Sequence, residues 1–360
     1  MKMKAVRFHG QKDIRLEEVE EPECGRGQIK IKPAFCGICG TDLHEYLGGA
    51  NLIPKDTPHP ITNETLPLAL GHEFSGTVEE VGDEVQGFKA GDRVCVQPTI
   101  YDGECLSCRR GLVNCCDKNG FVGLSGWGGG MSEHIVLPQD SVKKLPDNIS
   151  LEVGALVEPL AVAWHALSIS PYKPGDRVLV LGGGPIGLAV VQVLKARGCD
   201  TIIVSEISPR RRQYAKEFGA HHVIDPTKDD VVAEVTKLTH GEGVEIAFDA
   251  AGVQVGVDSA MLAIKARGTL VNIAVWEKRA TLNINQLVFR ERAYIGTACY
   301  ELGDFELVID AISTGKLTPE AMITRKIRLD EVEEKGFNAL INDKDNHVKI
   351  LVDIGASISQ

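Results

Sequence analysis

No apolar run in this 360-residue chain reaches the roughly 18–20 residues that a bilayer-spanning helix needs. The first stretch, MKMKAVRFHGQKDIRLEE, is charged throughout and lacks an apolar h-region, so a secretory signal is not expected. A surplus of positive charge is missing too. Lys and Arg total 39 against 50 Asp and Glu, a formal net charge of −11. No basic face is then available to neutralise phosphates, and a nucleic-acid partner is not expected. The local exception, SPRRRQ at 208–213, reads as the solvated start of a helix. Short repeats and low-complexity segments are also absent. These absences point to a cytoplasmic globular protein, and 43% hydrophobic with 25% charged residues suits that class. In that reducing compartment ten cysteines read as metal ligands or buried thiols rather than disulfides. The length suits two domains better than one.

What is present changes character along the chain. Residues 1–150 carry short strand-like runs punctuated by Gly and Pro. GQIKIKP (27–33) and GDRVCVQP (91–98) alternate side chains between two faces, as half-buried strands do. GTVEEVGDEV (76–85) reads as two strand pieces around a Gly-Asp turn. This predicts a compact, barrel-like β region with long loops. From residue 177 apolar runs recur at short intervals: RVLVLG (177–182), TIIVSE (201–206), HHVID (221–225), VEIAFDA (244–250), GTLVNIA (268–274) and RAYIGT (292–297). Helix-patterned stretches such as PIGLAVVQVLKARG and PRRRQYAKEFGA lie between them. Regular β–α alternation implies a parallel sheet with helices on both faces. Beyond residue 298 the rhythm fades, and the apolar tail VKILVDIGA is expected to rejoin a sheet of the first domain.

VLVLGGGPIGLAV holds the sharpest motif. Gly182, Gly184 and Gly187 form GxGxxG directly after a strand and at the opening of a helix, with Pro185 and Ile186 inside the motif. The glycines allow a tight turn and let backbone approach a pyrophosphate, which the helix N-terminus then faces. The next strand ends at Glu206, 19 residues after Gly187. A carboxylate there bonds the adenosine ribose hydroxyls. It would repel a 2′-phosphate, so NAD is expected over NADP. Arg210, Arg211 and Arg212 lie close by, and Arg211 can stack on the adenine.

Two stretches offer metal ligands. FCGICGTDLHEY (35–46) and LGHEFSG (70–76) bring thiols, histidines and carboxylates. A catalytic zinc takes three protein ligands and keeps one position open. Cys39, Asp42, His44, His72 and Glu73 all qualify, and spacing does not choose among them. DGECLSCRRGLVNCC (102–116) contains the CxxC pair Cys105 and Cys108 and the adjacent thiols Cys115 and Cys116.

Together, Cys39-Gly-Thr-Asp-Leu-His44, Gly71-His72-Glu73, the cysteine-rich run, Val157-Glu158-Pro159 and Gly182–Gly187 resemble the zinc-dependent medium-chain dehydrogenase/reductase family over essentially the full chain. Glu158 in place of a cysteine is typical of the polyol and threonine dehydrogenase branch. HEYLGG (44–49), PHPITNETLPLALGHEFSG (58–76) and LSGWGGGMSEH (124–134) are most similar to members acting on (R,R)-2,3-butanediol. The resemblance implies an α/β protein. A GroES-like, β-rich catalytic domain would span 1–157, a Rossmann domain with a doubly wound parallel sheet 158–297, and a return to the catalytic domain 298–360.

The resemblance also implies roles. Cys39, His72 and Glu158 would hold a catalytic zinc, with Glu158 or a water completing the shell. Glu73 would stand beside it as an outer or exchangeable ligand, and Cys36 would belong to the core. Thr41 would take the alcohol proton and His44 would end the relay. The family's structural zinc is held by C-x2-C-x2-C-x7-C. Here the last three positions are Cys105, Cys108 and Cys116, but the first is Asp102. Carboxylate oxygen binds zinc at nearly the distance of nitrogen, so Asp102 is the expected fourth ligand and Cys115 the spare thiol.

The expected activity is an NAD- and zinc-dependent secondary-alcohol dehydrogenase interconverting (R,R)-2,3-butanediol and acetoin. It would carry one catalytic and one structural zinc per chain. Its partner would be a small diol or hydroxyketone, with no nucleic acid and no membrane, and it would form a homodimer or homotetramer. A sorbitol-like polyol or threonine dehydrogenase is the alternative within this class. Outside it stands a catalytically silent nucleotide-binding zinc protein, disfavoured by the joint presence of Cys39, His72, Glu158, Thr41 and His44. A zinc-finger DNA reader is set aside on net charge, absent finger histidines and the large α/β region.

Overall fold

Ile29 and Ile31, both fully buried, pin the strand Gln28–Gly37 to its core. That strand is a hub: it pairs antiparallel with Glu73–Val81, Ile135–Pro138 and Lys349–Asp353. The computed structural model describes residues 1–276 and 278–356. The chain divides into two units, one of Met1–Glu158, Glu301–Ser313 and the chain from Pro319, the other of Pro159–Tyr300 and Thr314–Thr318.

Among the described residues the first unit holds a seven-stranded sheet around Gln28–Gly37 and a three-stranded sheet of Lys2–Gly10, Asp13–Glu20 and Leu68–Ala69. Phe8, Ile29, Leu70, Phe74, Val94, Phe337 and Ile350 share one core. The C-terminal strand Lys349–Asp353 lies between Gln28–Gly37 and Ile323–Arg328. It buries Ile350, Leu351 and Val352 completely, each contributing about 1.5–3 kcal/mol. Residues 76–85 depart from expectation. One strand, Glu73–Val81, is followed by a turn, and no second strand forms before Arg93–Val96. Glu84 takes φ +70, a left-handed conformation that ends extended backbone.

The second unit contains a six-stranded parallel sheet, again among the described residues, ordered His222–Ile224, Thr201–Ser205, Arg177–Leu181, Val244–Asp249, Ile264–Asn272 and Ala293–Gly296. Numbered from Arg177–Leu181, this is the order 3-2-1-4-5-6 of a doubly wound Rossmann sheet. Strands covered on both faces need unbroken apolar runs, and Val178–Leu181 and Ile202–Val204 are buried throughout. The order reverses between Arg177–Leu181 and Val244–Asp249, and ligands bind this topology at the carboxyl ends of those strands. No helix among the described residues is long and apolar enough to cross a membrane.

Candidate active site

The hub strand also builds the first cluster. Its register sets Gly37 opposite Glu73. A Cβ on residue 37 would stand 2.2 Å from a Glu73 carboxylate oxygen, so only glycine leaves that carboxylate its place. Cys39 caps the helix Gly40–Gly48, and its N–H donates to Asp42 Oδ2 at 2.9 Å. Gly71, at φ +103, turns the chain into His72, and a Cβ there would strike Cys36 and Met131. As a result one ligand atom from each of Cys39, His72 and Glu73 lies within 4.8 Å of the others. Glu158, buried on the first turn of the helix Val157–Ile169, stands outside this trio but near enough for its charge to act on His72. Cys36 is a core thiol whose pKa burial raises strongly. Thr41 and His44 sit three residues apart on one helix face. Thr41 Oγ1 is half-buried, 3.6 Å from Cys39 Sγ, whereas His44 is exposed.

This cluster is short of positive charge. Burial disfavours the imidazolium of His72, yet Asp42, Cys39 and Glu158 raise its pKa well above the ordinary value. A site that draws a proton this way also draws a metal ion, which competes for the same ligand atoms. His72 Nδ1 lies 3.6 Å from Asp42 Oδ1, and both buried atoms lack a hydrogen-bond partner. That suits an imidazole steadied by a carboxylate on one nitrogen while the other binds metal. Thiolate, imidazole and carboxylate are the donors that zinc accepts.

Lys349 is the residue that the linear pattern does not reveal. Its Nζ donates to both Glu73 oxygens at 2.7 Å and to Ile38 O at 3.3 Å. Neither side chain is more than 2% exposed. Burial disfavours the ammonium, but Glu73, Cys39 and Glu158 outweigh it and raise its pKa. Removing one partner of such a buried pair costs about 3–5 kcal/mol. The available signal was a single lysine directly before the apolar run Ile350–Val352, since a buried charge needs a partner.

The cysteine-rich run forms a second cluster in the same unit. Ligand atoms of Asp102, Cys105, Cys108 and Cys116 lie within 4.8 Å of one another. The Cys105 and Cys116 sulfurs are 3.9 Å apart, near the ~3.8 Å expected of two sulfurs bound at about 2.3 Å to a tetrahedral centre. Backbone N–H groups of Cys108, Asp102 and Lys118 point at these sulfurs, each at 3.4 Å. Asp102 Oδ1 accepts from the N–H groups of Cys105 and Glu104, both at 2.9 Å, which holds this carboxyl well below the usual range. Burial and the neighbouring thiols push Cys108 up to about 12, an obstacle to ionisation that a bound cation removes. Cys115 is exposed and outside the group.

In the second unit, Gly182 at φ +90 bends the chain out of its strand, and Gly184 caps the helix Pro185–Ala196. Pro185 occupies the first turn, where its missing N–H costs nothing. A Cβ on Gly187 would lie 1.9 Å from Gly182 O, so the helix holding Gly187 and Ile186 meets the turn through bare backbone. Glu206 is buried and accepts from Gly183 N at 2.5 Å and Ser208 N at 2.7 Å. The three arginines separate. Arg210 lies over the Tyr214 ring, Arg212 bonds the Glu206 and Ile207 carbonyls and pairs with Asp225, and Arg211 borders the glycine turn.

Both units match known families. The alcohol dehydrogenase GroES-like domain matches residues 25–147, and the zinc-binding dehydrogenase family matches residues 185–314. The (R,R)-butanediol dehydrogenase of Bacillus subtilis (strain 168) is 47% identical over 97% of this chain and 99% of its own length. The sorbitol dehydrogenase of the same strain is 31% identical over 97% of each. A crystal structure of 2R,3R-butanediol dehydrogenase from Bacillus subtilis has a TM-score of 0.93 and 46% identity, covering 98% of this chain and 100% of that one. These relations agree with the GroES-like and Rossmann architecture expected from the sequence, and they support zinc and NAD(H) as cofactors. The chain belongs to the zinc-dependent medium-chain dehydrogenase/reductase family and is an alcohol dehydrogenase.

Proposed function

We propose that this protein oxidises (R,R)-2,3-butanediol to acetoin, and runs the reverse reduction, with zinc and NAD. The carrying observation is the trio of half-buried Cys39 with buried His72 and Glu73, with Glu158 nearby, in a chain alike to a butanediol dehydrogenase nearly end to end. Cys39, His72 and Glu158 hold a catalytic zinc, and Glu73 stands beside it. Asp102, Cys105, Cys108 and Cys116 hold a structural zinc in a closed site that does no chemistry. When bound, zinc supplies the Lewis acidity that lowers the pKa of the substrate hydroxyl, and NAD supplies the hydride acceptor. Asp42 orients His72 through Nδ1. Thr41 Oγ1 accepts the hydrogen bond of the substrate hydroxyl and passes its proton outward, and the exposed His44 ring releases it to solvent.

For the nucleotide, Gly182, Gly184, Pro185, Ile186 and Gly187 cradle the pyrophosphate, Glu206 takes the ribose hydroxyls, and Arg211 covers the adenine. Glu206→Ala is expected to lower the NAD-over-NADP ratio of kcat/KM by about tenfold or more, equivalent to about 1.4 kcal/mol. An unchanged ratio would remove the ribose role.

Steady-state rates on the butanediol stereoisomers, sorbitol, xylitol and threonine test the substrate. The (R,R) isomer is expected to show the highest kcat/KM. Sorbitol exceeding every butanediol isomer would favour the polyol reading, which the likeness to a sorbitol dehydrogenase keeps second. No NADH formation by zinc-replete protein on any of these alcohols would favour the silent nucleotide-binding protein. All ten cysteines are free, which suits a reducing cytoplasm. The family resemblance suggests a homodimer or homotetramer, which light scattering measures.

A further inference from the structure

Sheet register carries a buried amide to the edge of the proposed metal site. Ser75 pairs with Cys95, Gly76 with Val94 and Thr77 with Arg93. That register, continued two residues, sets Gln97 across from Glu73. Ladder pairing on the other side reaches Gln97 as well. Its N–H donates to Ser141 O at 2.8 Å, one step on from the pairing of Val96 with Val142. Side chains alternate between faces along a strand. Phe74, Val78, Val94 and Val96 all enter the hydrophobic core, so Glu73, Ser75, Cys95 and Gln97 share the opposite face. Residues directly across a ladder hold their Cβ atoms about 4.5–5.5 Å apart, and Glu73 belongs to the metal-ligand trio.

Gln97 is 3% exposed, and among the described residues neither its Nε2 nor its Oε1 has a hydrogen-bond partner. Ser75, on the same face, differs: its hydroxyl donates to Leu151 O. An amide buried without a partner is costly, and native proteins rarely leave one so. A substrate arriving at the metal can complete it. A vicinal diol brings two oxygens into the buried site. In the mechanism proposed above, the reacting hydroxyl meets the metal position and Thr41. The neighbouring hydroxyl donates and accepts, and an amide offers the complementary acceptor and donor.

We propose that Gln97 is a specificity-determining residue, whose amide binds the non-reacting hydroxyl of a vicinal diol or of the hydroxyketone formed from it. This rests on the metal site and the diol substrate proposed above. It gives the protein a means of preferring a diol to a simple secondary alcohol, since a monoalcohol leaves the buried amide unpaired.

The test compares kcat/KM for (R,R)-2,3-butanediol with that for (R)-2-butanol, which lacks only the second hydroxyl. The zinc-replete native protein is expected to favour the diol by about tenfold or more. Gln97→Met keeps the side-chain length and removes the amide. It should lower kcat/KM for the diol by about tenfold or more and change that for 2-butanol by less than about threefold. Without substrate its melting temperature should equal or exceed the native value, because an apolar group replaces an unpartnered amide. A diol-to-monoalcohol ratio within about threefold of native in Gln97→Met overturns the proposal. So does a fall in melting temperature of about 5 °C or more, which would assign the amide to internal structure. Should Gln97→Met fail to fold, Gln97→Asn decides, because it keeps an amide but withdraws it by one methylene. A ratio lowered by about threefold or more supports the proposal, and an unchanged one overturns it. Failure of the butanediol reading shows separately, as native protein that prefers sorbitol to either four-carbon alcohol. Sorbitol is itself a vicinal diol, and the ratio in Gln97→Met then still decides the role of Gln97.

Discussion

Cys39→Ser is expected to reduce butanediol turnover by about a thousandfold or more while NAD still binds. The thiolate supplies one of the two anionic donors in the proposed shell, and a serine hydroxyl is not ionised near neutral pH. Lewis-acid stabilisation is worth several kcal/mol, and about 4 kcal/mol corresponds to about a thousandfold in rate. The fold should tolerate the change. Cys39 caps the helix Gly40–Gly48, and serine is among the preferred capping residues. The glycine turn lies in the other unit, whose core contains none of these groups. Steady-state rates, zinc content and an NADH fluorescence titration on one preparation separate the effects. Turnover above about a tenth of native would remove Cys39 from the chemistry, since that is about 1.4 kcal/mol at most.

Asp102→Ala should release the zinc of the cysteine-rich lobe and loosen the unit that carries it. Apart from Val113 and Asn114, few side chains of the lobe outside the cluster are buried. The helix Leu106–Arg109 buries no residue, and Leu106 and Leu112 are exposed. In the proposed site a metal would add to that burial, and in small zinc domains its binding supplies about 10–16 kcal/mol of folding free energy. Losing one of four ligands is expected to lower the melting temperature by about 5 °C or more, at about 2–4 °C per kcal/mol for a unit of this size. Asp102→Cys supplies a thiolate at the same position and should keep the metal. Zinc content counted per chain, beside a thermal melt, reads both effects. Undiminished zinc in Asp102→Ala would mean that water, not this carboxylate, completes the site.

The nucleotide-binding unit was legible because its physics is local. Its central strands are short apolar runs covered on both faces, and Gly184-Pro185 and Ser208-Pro209 mark helix starts. The convergence of Asp102, Cys105, Cys108 and Cys116 was legible for the same reason, since all four fall within one short loop. Alternation failed at residues 82–85, because polarity does not report the left-handed backbone of Glu84. The tail VKILVDIGA announced a strand but not its neighbours, which are Gln28–Gly37 and Ile323–Arg328.

By itself, then, the sequence determined the glycine turn, the helix starts, the parallel sheet and the clustered cysteine-rich loop. In the turn, the helix starts and the loop the interacting groups are near neighbours whose distances chain connectivity already constrains, and the sheet follows from the regular β–α alternation. Only the tertiary structure decided which distant side chains meet. Cys39 joins His72 and Glu73 because the register of Gln28–Gly37 on Glu73–Val81 brings their loops together, and Lys349 reaches Glu73 because the last strand seats beside the hub. Such meetings depend on sheet register and on which apolar faces bury together, and no local periodicity encodes either.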